Sequence, residues 1–159
     1  MMPAARVTEA DVLWVMGRSL DIDGDVVGHP KQNAVWSEAT MTVRSARENG
    51  SLQIRLTYNF LTPDELSISI LYREVRIRAL DLSGSHRNEH TDTNRWIKQT
   101  HEHVWTDRCH GSWAVTPNPP SAAGFAITFR DFCARHGIRF NGRWNDPPRQ
   151  FQLGLLEES

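Results

Sequence analysis

Alternation of apolar and polar side chains is the strongest pattern in this chain. Val35, Ala39, Met41 and Val43 alternate with Glu38, Thr40, Thr42 and Arg44, the period-two signature of a half-buried strand. Asn49-Gly50 follows, a pair suited to a hairpin turn because both residues tolerate positive φ. Beyond it, Leu52, Ile54, Leu56, Tyr58 and Phe60 face one way, while Gln53, Arg55, Thr57 and Asn59 face the other. After Thr62-Pro63-Asp64-Glu65, the apolar set Leu66, Ile68, Ile70 and Tyr72 holds even positions, but Val75 and Ile77 hold odd ones. A bulge or break near Arg73-Glu74 reconciles the two phases. These segments predict an antiparallel meander with one covered face and one wet face.

Two segments change to the helical period. Thr8 caps a short N-terminal helix with Asp11 three residues on, Val12, Val15 and Met16 on one face and Gly17 at its end. Residues Ser121 to His136 place Phe125, Phe129, Phe132 and Cys133 at spacings of three and four, with Ser121 as N-cap and Gly137 where a left-handed C-cap belongs. The class expected is α+β: a curved antiparallel β-sheet, a short N-terminal helix, and a C-terminal amphipathic helix packed on one face. Ile138 and Phe140 extend the core. No linker or repeat divides residues 1–159, so one domain is expected, with 141–159 as an irregular tail.

Composition narrows the partners. Net charge is −1, from 18 basic and 19 acidic side chains, so no global field draws the chain to nucleic acid or an anionic membrane. The longest apolar run, Val12 to Met16, is far shorter than the roughly 20 residues of a membrane helix. With no signal-peptide order at the N-terminus, the expected setting is the cytoplasm, without membrane contact. Cys109 and Cys133 are then expected to be reduced. Asp21 to Asp25 invites a calcium reading, but a calcium loop starting at Asp21 requires glycine at Val26 and a bidentate acid at Gln32. An acidic turn, with Gly24 at positive φ, is the better reading.

Candidate chemistry crowds into one quarter of the chain. Five of the seven histidines fall between His86 and His110, and His101 and His103 are two apart in His101-Glu102-His103-Val104-Trp105. On a strand, both histidines point to one face, about 6.5 to 7 Å apart, close enough to converge on one metal or one phosphate. Three readings stay open. In the first, the histidines are structural, one buried and one wet. In the second, a zinc-type hydrolase uses His101 and His103 as ligands, with His86, His90, Asp81, Asp107 or His110 completing the shell. In the third, metal-free acid-base chemistry on RNA needs titrating groups near neutrality and cations beside them. Arg76, Arg78 and Arg87 supply the cations, and Trp105 offers a base somewhere to stack.

Leu80 to Asn88, His101-Glu102-His103 and Phe129-Arg130-Asp131-Phe132-Cys133 resemble, in that order, a group of uncharacterised small bacterial proteins. Those carry a D-x-x-G-x-H-x-N loop, an H-x-H strand and a late helix ending in F-x-x-F-C. The same order is loosely similar to the TumE-like toxin ribonucleases of toxin-antitoxin systems, although the dense run of consecutive histidines in those proteins is missing here. The resemblance covers about residues 70 to 140. It implies a toxin-like endoribonuclease in the cytoplasm, with RNA as substrate and a neutralising antitoxin as partner; the metal-free reading calls for no cofactor, the hydrolase reading for zinc. It places the centre at His86, Asn88, His101 and His103. A non-enzymatic protein-binding module of phage or mobile-element origin is the competing class.

Overall fold

The alternating segments pair edge to edge in the computed structural model, which describes residues 6–17, 19–30, 36–45, 52–59, 65–82, 86–88, 96–97, 100–116 and 124–145. In chain order the elements are α1 (Glu9–Met16), β1 (Leu20–Ile22), β2 (Val26–Val27), β3 (His29–Pro30), β4 (Trp36–Thr42), β5 (Arg44–Ser45), β6 (Leu52–Asn59) and β7 (Leu66–Tyr72). They continue with β8 (Val75–Asp81), β9 (His86–Arg87), β10 (Trp96–Ile97), β11 (His101–Thr106), β12 (His110–Val115), α2 (Phe125–Arg135), β13 (Ile138–Phe140) and β14 (Trp144–Asn145). The class is α+β.

Seven strands form one open sheet in the order β12-β11-β8-β7-β6-β4-β3, with every neighbouring pair antiparallel. Leu52, Ile54 and Leu56 of β6 pair with Tyr72, Ile70 and Ile68 of β7, and all six are buried. Each wholly buried side chain of this size contributes about 1.5–3 kcal/mol, which is why the register follows the alternation. Phe129, Phe132 and Cys133 of α2 belong to the same apolar cluster. Burial pushes the Cys133 thiol up to about 12, against the field of Arg130, so it behaves as a small apolar side chain.

The change of phase after Tyr72 has two physical parts. Arg73 and Glu74 take φ of 50° and 66°, the conformation of a two-residue type I′ hairpin turn. A register shift then falls between Ile70 and Leu71, where Arg78 and Arg76 are the partners, and the extra residue, Ile77, is buried. The Asn49-Gly50 turn and residues 61–64 lie outside the described residues.

The Thr8 hydroxyl and the Asp11 carboxylate cap α1 reciprocally, and Val12 and Val15 are buried. α2 begins at Phe125, the first residue of the apolar set, with Gly124 rather than Ser121 at its N-cap; Ser121 lies outside the described residues. Gly137 takes φ of 68°, as its C-cap position demands. Gly24, however, is not in the left-handed region. Gly142 is a tight position on the backbone facing this turn: an added Cβ would meet the Gly24 carbonyl at 2.0 Å.

That close approach joins two distant segments. β1 runs parallel to β13 and β2 runs parallel to β14, so Trp144 and Asn145 are strand, and 146–159 lie outside the described residues. The acidic turn supplies the fastening: Arg139 donates to Asp21 at 2.6 Å, Asn141 donates to Asp21 and Asp23, and the Arg143 N–H donates to Asp25. Arg44 on β5 adds a bond to Asp23. The Arg139 hydrogen bond, opposed by burial and aided by Asn141 and Arg44, holds the Asp21 carboxyl below its ordinary value. A depressed folded value means that the stabilisation is complete above the unfolded value, about 3.9, and is lost as pH falls through the folded one. Arg139→Ala is therefore expected to lower the melting temperature at neutral pH and to soften the acid limb of a melting series. An acid limb identical to that of the parent chain contradicts this.

Candidate functional site

Register brings three candidate ligands together. His101 on β11 lies opposite Asp81 on β8, and His103 lies opposite Ala79. Because alternate strand residues share a face, His101, His103 and Asp81 project from one side of the sheet, and Asp81 is diagonal to His103. Ser67 on β7 is opposite Asp81 in turn. Ala79 and Ala114 flank His103 on its two neighbouring strands, and their small side chains leave room for the ring.

The resulting distances are short. His101 Nε2 and His103 Nε2 lie 3.4 and 3.2 Å from the same oxygen, Asp81 Oδ2. The two rings meet edge to face, 5.0 Å between centroids. Asp81 Oδ1 faces the other way and accepts from the Ser67 hydroxyl at 2.6 Å. One carboxylate oxygen is thus oriented by the protein while the other is shared by two imidazoles. His101 and His103 are only 4% and 6% exposed. Burial pushes the Asp81 carboxyl up, but the hydrogen bonds from His103 and Ser67, with the charges of both histidines, outweigh it and keep the group ionised. One donor atom from each of the three residues lies within 4.8 Å of the others. Two imidazoles and a carboxylate, with a hydroxyl orienting the carboxylate, form a donor set suited to a first-row divalent cation.

The remaining sequence-predicted residues are placed elsewhere. Arg78 is opposite Ile70 and Val104, on the face away from Asp81, and its Nη1 donates to the Ile77 carbonyl at 3.0 Å. Burial lowers its pKa, while Glu102 pulls the other way. Arg76 reaches the Gly111 carbonyl at 3.4 Å. Trp105 stacks on His110 at 5.0 Å with planes 5° apart. Asp107 accepts from the Glu9 N–H at 2.9 Å, at the first turn of α1. Asn88 is buried and bonds both backbone groups of Ala114, donating at 2.6 Å and accepting at 2.7 Å. It fastens the chain beside His103, whose partner on β12 is Ala114. His86 and Arg87 form β9 with β10, but their side chains, and all of His90, lie outside the described residues.

A second polar cluster escaped the sequence reading. Glu102, between the two histidines, turns to the opposite face and meets Arg135 Nη1 at 2.7 Å and His136 Nε2 at a still closer contact. Burial pushes the Glu102 carboxyl up, and His136 and Arg135 overcome it and hold it low. The available signal was the strand phase, which separates Glu102 from its neighbours, together with the basic Arg135-His136 pair ending an apolar helix.

No family model, curated protein or solved structure matches this chain. Among the described residues, no helix is long and apolar enough to cross a membrane.

Proposed function

We propose that the protein is a metal-dependent hydrolase whose cation is held by Asp81, His101 and His103, with RNA phosphodiesters as the substrate class to test first. The observation that carries this is the convergence of both Nε2 atoms on one Asp81 oxygen, 3.4 and 3.2 Å away, at a buried position. Three protein ligands are the number a catalytic zinc takes, leaving one position for water. Such a cation supplies Lewis acidity and an activated water. The chain's own residues do the rest: Ser67 orients the carboxylate, Ala79 and Ala114 make room for His103, and Asn88 anchors the chain beside β12. The sheet curves and α2 packs over its apolar face, a view supported by Phe129 and Phe132 in the shared cluster and by the Phe125 ring 5.2 Å from Tyr58.

A second reading rests on the same carboxylate. A shared Asp beside two imidazoles also suits metal-free acid-base catalysis, where the acid orients a histidine that moves a proton. In that case the protein is a toxin-like cytoplasmic endoribonuclease with a neutralising partner. Elemental analysis and RNA cleavage, before and after chelation, separate the two. One equivalent of zinc, manganese, iron or cobalt, lost together with cleavage, supports the metal reading. Cleavage that survives chelation transfers the proposal to acid-base chemistry. Neither metal nor cleavage leaves the binding-module class.

A further inference from the structure

Glu102 divides His101 from His103 along β11 and is turned to the other face of the strand. It is 6% exposed, and a carboxylate that deeply buried requires charged or hydrogen-bonded compensation. The compensation comes from the C-terminal end of α2, where Arg135 takes one carboxylate oxygen and His136 takes the other. The helix end is itself fixed. Phe129, Phe132 and Cys133 are buried, and the His136 ring lies 4.5 Å from the ring of Phe132.

We infer that Glu102, Arg135 and His136 form a clamp that sets the rotation of β11 about its own axis and so aims His101 and His103 at Asp81, a role that rests on the metal-binding reading of that site. The histidines are the residues immediately before and after Glu102, so no rotation of Glu102 leaves them in place. Metal and catalytic constellations tolerate only about 0.5 Å and 10–20° of error. Two bonds to a rigid helix on one face therefore control geometry on the other. Glu102 is a positioning residue: it touches neither the carboxylate of Asp81 nor anything bound there.

The test uses the full chain, titrated with Co2+, whose visible absorption reports ligand geometry. Glu102→Gln is expected to weaken Co2+ binding by about 10-fold or more and to alter the spectrum, the range seen when groups supporting a ligand are lost. Arg135→Gln, at the helix end, is expected to do the same and covers the case in which the first variant does not fold. Arg139→Ala, which loosens the β1–β13 fastening, is the control for lost stability and leaves the Co2+ spectrum unchanged. Wild-type affinity and spectrum in both clamp variants overturn the inference. If the parent chain takes up no Co2+, the metal reading fails by itself. The clamp is then judged by the imidazole 15N resonances of His101 and His103, which shift in Glu102→Gln if it holds and stay fixed if it does not.

Discussion

His103→Ala is expected to yield a folded protein that no longer retains a divalent cation. The substitution leaves Asp81 and His101, two ligands where a catalytic site needs three. The affinity loss is expected to exceed about 100-fold, above the 10–100-fold range that follows loss of a supporting group alone. It also removes a hydrogen bond from a half-buried carboxylate, which costs about 1–3 kcal/mol of stability. His103→Gln separates the two effects, because an amide can hydrogen-bond Asp81 but is a poor ligand for zinc-type metals. Calorimetric titration with zinc and thermal melts of both variants provide the measurement. One equivalent of metal bound at parental affinity by His103→Ala removes Asp81, His101 and His103 as the centre.

Phe129→Ala is expected to cost about 3–5 kcal/mol, the range for truncating a buried aromatic. Phe129 is wholly buried, meets Phe140 edge to face at 5.0 Å and lies 5.8 Å from Trp144. Those two rings belong to β13 and β14, so the cavity opens where α2 meets both parallel pairs. Chemical denaturation is expected to show an earlier midpoint, and Ile127→Ala, at a position 53% exposed, serves as the neutral comparison. A Phe129→Ala midpoint equal to that of Ile127→Ala contradicts the placement of Phe129 in the core.

The sheet was legible in the sequence because period-two alternation carries its own register. Leu52 to Tyr58 and Leu66 to Tyr72 could not slip by one residue without turning the whole apolar set to water. The shared face of His101 and His103 followed from the same rule. The identity of the third group did not, because Asp81 is 20 residues before His101 and only pairing across β8 and β11 selects it over Asp107. Alternation alone puts Arg76 and Arg78 on one strand face, but the register shift at Ile70/Leu71 falls between them and leaves Arg78 on the Glu102 side. The parallel pairs β1–β13 and β2–β14 were least visible. Strands of two or three residues have no period to read, and their partners lie more than 100 residues away.

Asn88 has a consequence for solubility. A seven-stranded sheet ends in two edges, and an exposed edge is a template on which another chain can add a strand. At one edge, β3 is two residues long and ends in Pro30, which has no N–H to offer. At the other, the side-chain amide of Asn88 occupies both the N–H and the carbonyl of Ala114, as the peptide group of an eighth strand would. A single asparagine thus blocks, at that position, the growth of this sheet into a chain of copies.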